Sequence, residues 1–70
     1  MDNVKNQSIQ IIRLPKVIET CGLSRSSIYD LLNPKSTRYD KNFPKPIKLG
    51  AAAVGWFRHE INEWLISKKA

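Results

Sequence analysis

The 70-residue chain has one cysteine, one histidine, three glycines and half as many acidic as basic residues, six against twelve. Each shortage removes a class of function. A single cysteine, Cys21, forbids an intramolecular disulfide, and its place on an apolar helical stripe makes it a packed small hydrophobe that suits a reducing cytosol. A metal held by Cys21 and His59 would need further ligands at suitable spacing, and the sequence offers none, so no metal and no cofactor is expected. His59 reads as an ordinary surface or helix-start residue. There is no Gly-rich phosphate loop, Ser26 and Ser27 have no nearby base, and the carboxylates are scattered; an enzyme with a small-molecule substrate is not expected. No apolar run approaches the ~20 residues of a spanning helix, and the first ten residues lack the core of a signal peptide. Nor is there a long basic amphipathic helix or a pair of lipid signals, so the expectation is a cytoplasmic protein that does not use a membrane.

What is present is positive charge on a small body. A chain of this length makes one domain, which buries only roughly 60% of the surface its unfolded form exposes and has no room for a large internal cleft. The net charge of +6 and a sequence pI near 9.8 meet the basic footprint of nucleic-acid binders. The charge is uneven. Between Pro34 and Arg58, six cations (Lys35, Arg38, Lys41, Lys45, Lys48 and Arg58) face Asp40 alone, so this stretch carries +5 of the total. Phosphate-backbone contact needs such a cationic surface; a solvated strand edge with gatekeeper lysines would need fewer.

The stretch from Leu14 to Leu32 reads as two short helices hinged at Gly22. Leu14, Val17, Ile18 and Cys21 fall at helical offsets, and Pro15 sits in a first turn, where its missing amide has no intrahelical partner. Gly22 suits the left-handed residue that closes a helix, and Ser24 suits the N-cap of the next. Leu23 and Ile28 then occupy the two positions of a hydrophobic staple. With Ile28, Leu31 and Leu32 facing inward, Arg25, Ser26, Tyr29 and, less fully, Asp30 face out. Two helices around a Gly-containing turn match a helix-turn-helix, whose second helix fits a DNA major groove. Many such hairpins only fill a core, and Tyr29 reads equally as a DNA contact or as a half-buried packing residue.

The remaining elements read as support. Residues 1–10 are polar and aperiodic, a flexible arm, and residues 11–70 form the domain. Asn33-Pro34 stops the second helix. Phe43 anchors an extended, proline-rich Phe43-Pro44-Lys45-Pro46 under the core. Ile47-Lys48-Leu49 and Val54-Gly55-Trp56 alternate as two strands of a β-hairpin, with Lys48 on the outward face. A packing helix runs from Phe57 to Ser67 on a stripe of Phe57, Ile61, Trp64 and Leu65, and both tryptophans fall on apolar sides of their periods. The fold class expected is therefore mainly α with a small β-hairpin.

The runs Arg13-Leu14-Pro15-Lys16-Val17, Gly22 to Tyr29, Phe43 to Gly50, Ala53-Val54-Gly55-Trp56 and Glu60 to Leu65, in this order, resemble the AlpA-type regulators of phages and prophages. The resemblance covers roughly Ile12 to Lys68. It implies a trimmed winged helix-turn-helix of the MerR and excisionase type, with a recognition helix from Ser24 to Leu32 and a wing from Ile47 to Trp56. It also implies a small regulator that binds double-stranded DNA in prophage or mobile-element genes, with RNA polymerase or a recombinase as a protein partner. Such wings often carry an arginine at the tip, where this chain has Ala51-Ala52-Ala53. The connector from Asn33 to Asn42 is longer than usual and brings its own cations, and no dimerisation helix is implied. The candidate base-reading residues are Arg25, Ser26 and Tyr29; the candidate phosphate contacts are Ser27, Lys35, Arg38, Lys41, Lys45 and Lys48. Two other roles stay open: an architectural factor that bends attachment-site DNA, and a protein-interaction module whose basic loop docks on an acidic partner.

Overall fold

The computed structural model describes residues 9–69, and the arm assigned to the first residues lies outside them up to Ser8. In chain order the elements are β1 (Ile11–Ile12), α1 (Leu14–Cys21), α2 (Arg25–Leu32), β2 (Ile47–Lys48), β3 (Val54–Phe57) and α3 (Arg58–Ser67). The fold is thus mainly helical, with three helices and one small antiparallel sheet ordered β1-β3-β2. This arrangement is compatible with a winged helix-turn-helix.

The helix ends lie where local chemistry puts them. Gly22 adopts φ 70°, and its amide donates to the Ile18 carbonyl at 2.9 Å, closing α1 through a conformation that a side chain would strain. Ser24 stays extended while its Oγ accepts from the Ser27 amide at 3.1 Å, which satisfies one of the orphan donors at the start of α2. Val17 of α1 and Ile28 of α2 are fully buried, so the second helix is fixed by packing as well as by its cap.

The sheet departs from expectation in two ways. A third strand, β1, pairs with the free edge of β3, with Ile11 opposite Phe57 and Ile12 opposite Trp56. Phe57 belongs to β3 and caps α3 rather than opening it; the helix begins at Arg58. The strand–helix junction is abrupt because the Arg58 amide is taken by the Gln10 carbonyl at 2.8 Å, the next rung along from β1. The β2–β3 hairpin forms as expected, with Ile47 opposite Gly55, Lys48 opposite Val54, and a Leu49 amide to Ala53 carbonyl bond of 2.8 Å at its tip.

The core is Val17, Ile28, Phe43, Trp56, Ile61 and Trp64, so the expectation that Phe43 and both tryptophans are core residues is met. Burying an aliphatic or aromatic side chain of this size contributes about 1.5–3 kcal/mol. Each indole also has its polar atom satisfied, as a buried tryptophan requires. Trp56 Nε1 donates to the Pro44 carbonyl at 3.1 Å, and Trp64 Nε1 to the Asp40 carboxylate at 3.0 Å. Trp56 therefore holds the proline-rich segment, while Trp64 holds the connector. Cys21 is half-buried against the same core, and burial pushes its thiol pKa up, which keeps it a protonated, packed group.

Candidate nucleic-acid interface

The Ser24 cap and the buried Ile28 set the rotation of α2, and with it the outward face. Arg25 and Ser26 are exposed in the first turn, and Tyr29, one turn on, is 50% exposed. An arginine fork, a hydroxyl and a phenol on one solvent-facing surface are groups that can meet base edges. Ser27 lies further round the helix. It is half-buried, and its Oγ accepts from Ser24 Oγ at 3.0 Å. It lines a groove with Leu23, Leu31, Arg38 and Trp64, so the structure brings Ser27 and Arg38 together at the junction of α2, the connector and α3.

The connector between α2 and β2 is a sequence of turns closed by side chains. Asn33 Oδ1 accepts from the Lys35 amide at 3.0 Å, Ser36 Oγ from the Arg38 amide at 3.0 Å, and Asp40 Oδ1 from the Asn42 amide at 2.8 Å. Short polar side chains that bond their own backbone two residues on are the usual stabilisers of such turns. Lys35, Arg38 and Lys41 are exposed along this path, and Lys45 is exposed between two prolines. Among the described residues the ion pairs are Lys16 with Glu19 and Lys68 with Asp40, and neither involves these four cations.

Lys48 is exposed, but not because strand alternation turns it outward. Its partner Val54 shares a face of β3 with Trp56, since side chains alternate along a strand and directly paired residues point the same way. Lys48 therefore lies on the Trp56 side of the sheet and is exposed there, beside an exposed Val54 near the end of the hairpin. Arg58 also differs from its expected place in one cationic surface. Its guanidinium donates to Gln10 Oε1, and it borders a pocket with Lys16, Thr20 and Asn62 between α1 and α3. It ties the start of the domain to the last helix.

Asp40 is the residue that sequence reasoning passed over. Its Oδ2 accepts from Trp64 Nε1 and from Lys68 Nζ at 2.8 Å, and the Lys68 ammonium stands 5.1 Å from the centre of the Trp64 ring. The bonds from Lys68, Trp64 and the Asn42 amide hold the carboxyl pKa down at about 2. A signal was available: one acid amid six cations, with a buried indole in need of an acceptor. Among the described residues, no three potential metal ligands come together.

Residues 10–69 match the family of the prophage CP4-57 regulatory protein, AlpA. The chain belongs to the AlpA family. It is 55% identical over 58 residues to the "DNA-binding transcriptional activator AlpA" of Escherichia coli strain K12, covering 83% of each chain. It is 34% identical over 61 residues to the "Uncharacterized protein ORF88" of Enterobacteria phage P4, covering 87% of this chain and 62% of that protein. No solved structure matches it. The matched span, which starts at Gln10, includes β1 and its pairing with the β3–α3 junction, so the third strand lies inside the AlpA-family region rather than in an added segment.

Proposed function

We propose that this AlpA-family chain is a sequence-specific, double-stranded DNA-binding transcriptional regulator of a prophage or mobile element, working in the cytoplasm as a winged helix-turn-helix. The observation that carries the proposal is the exposed face of α2, where Arg25, Ser26 and Tyr29 stand on a helix fixed by the Ser24 cap and the buried Ile28. In this reading α2 enters the major groove and these three residues meet base edges. Ser27, Lys35, Arg38, Lys41, Lys45 and Lys48 meet the phosphates and set the register of the helix without reading sequence. The hairpin serves as the wing. Its Ala51-Ala53 tip offers no cation to the minor groove, and the ordered connector supplies charge in its place. The words "transcriptional activator" in the name of the Escherichia coli relative favour transcriptional regulation over an architectural role beside a recombinase, and in this reading RNA polymerase is the protein partner.

The test is duplex binding by fluorescence anisotropy across a range of salt. Counterions displaced from about four to six phosphates give a log–log slope of about −4 to −5. No binding to any duplex would remove DNA as the partner and leave the basic loop to an acidic protein; duplex binding that ignores salt would remove the cationic surface as its phosphate contact.

A further inference from the structure

Asp40 stands between Arg38 and Lys41, where a carboxylate should oppose DNA binding. Every polar group it owns is instead engaged inside the protein. Its amide donates to the Leu31 carbonyl at 3.1 Å, which satisfies a carbonyl in the last turn of α2. Its own carbonyl accepts from the amide of the buried Phe43 at 3.0 Å. One carboxylate oxygen closes the turn onto Asn42, and the other takes Trp64 Nε1 and Lys68 Nζ, both from the C-terminal end of α3. The upstream turns at Asn33 and Ser36 are closed only by neighbours in sequence. Asp40 is where the connector is fastened by a side chain to another part of the fold.

We propose that Asp40 is a positioning residue for DNA binding: it clamps the connector to α2 and α3, so that Lys35, Arg38 and Lys41 meet the phosphates already in place. The inference rests on the DNA-binding reading above. A loose connector would have to be ordered at the moment of binding, and that entropy would be taken from the affinity. The clamp removes this cost in advance. Lys68 also balances the carboxylate at 2.8 Å, so the one acid of the cationic stretch does little to repel the duplex.

Charge and positioning predict opposite signs when the acid is removed. Asp40→Asn raises the net charge by one, which by electrostatics alone tightens binding to any duplex. If Asp40 positions the connector, the same change weakens binding by about three- to tenfold, because ordering the segment becomes part of association. The salt slope should stay the same, since Lys35, Arg38 and Lys41 still displace their counterions. Anisotropy with one fixed duplex at several salt concentrations reads both quantities. Circular dichroism and tryptophan fluorescence at the same temperature establish that the variant is folded. Asn is nearly isosteric and keeps one acceptor oxygen, and limited trypsin cleavage after Lys35, Arg38 and Lys41 reports the connector directly and should speed up.

Weaker binding at an unchanged slope with faster cleavage supports the clamp. Equal or tighter binding by the folded variant overturns it while the DNA reading stands. An Asp40→Asn chain that is unfolded under these conditions also overturns it, making Asp40 a residue of global stability. A parent chain that binds no duplex overturns the DNA reading and the clamp together.

Discussion

The indole N–H of Trp64 donates to the Asp40 carboxylate at 3.0 Å, joining the last helix to a loop 24 positions earlier in the chain. The same ring meets Phe43 edge-on, with centroids 4.9 Å apart and planes at 89°, a favoured geometry for aromatic pairs. One side chain thus fixes both the core beneath the connector and the connector itself. In the clamp proposed above, this buried ring is what places Lys35, Arg38 and Lys41.

Trp64 is 9% exposed, so Trp64→Ala should cost about 3–5 kcal/mol through lost burial and the cavity left behind. In so small a domain that is a large part of the total stability. Trp64→Phe keeps a six-membered ring in the core but removes the pyrrole part of the indole with its donor, and should cost less, about 1–3 kcal/mol. Urea unfolding would measure both. A Trp64→Ala chain that melts like the parent would show that Trp64 is not a core residue.

Asp40 makes stability depend on acid in a defined window. Its folded pKa, about 2, lies below the ordinary 3.8, held there by Lys68, Trp64 and the Asn42 amide. A depressed carboxyl pKa contributes stability that is fully present above the unfolded value and is lost as pH falls through the folded one. The parent should therefore lose its advantage over Asp40→Asn as pH drops from about 4 to about 2. Thermal melts of the two chains at matched pH test this. A difference that stays constant across the window would place the carboxylate outside the bonds described.

Gly55 lies at the centre of the sheet because a side chain has no space there. A Cβ at this position would come 2.6 Å from Ile11 Cγ2 and 3.1 Å from both the Ile12 carbonyl oxygen and Leu49 Cδ1. The Ile12 contact is backbone and the Ile11 contact lies at a β-branch, so relief requires β1 to move. Gly55→Ala should destabilise the fold by about 1–3 kcal/mol, as overpacking does. Differential scanning fluorimetry would show the loss, and a variant melting at or above the parent would mean that β1 is not held against β3 as described.

The legible parts of the fold were those with local causes. Ser24 and Gly22 mark helix ends through bonds to residues three or four positions away, and Pro15 marks one through the amide it lacks, so α1 and α2 could be bounded from sequence. The outward face of α2 follows from the same period; Ser27, one step from Ser26, is half-buried because that step carries it round toward the connector. β1 was not legible. Two residues, Ile11 and Ile12, carry no period, and they form a strand only because Trp56 and Phe57 offer an edge. Asp40 was missed for the same reason. Asn33, Ser36 and Asp40 are recognisable turn formers, but no local rule pairs Asp40 with Trp64 and Lys68. Lys48 looked outward by alternation and reaches solvent by a different route, through its register with Val54.

The division of labour between α2 and the cationic surface is tested most directly by comparing two alanine variants on two duplexes. A preferred site is first selected from random duplex DNA, and Kd is then measured on that site and on a scrambled one. Arg25→Ala should weaken the preferred site by about 1–3 kcal/mol and the scrambled one much less, because its planar fork reads a base edge. Lys48→Ala should weaken both nearly equally and make the salt slope shallower by about one unit, as a point charge on a phosphate does. If Arg25→Ala instead lowers both affinities in parallel, α2 does not read sequence through Arg25, and the assignment of this helix as the reader is contradicted.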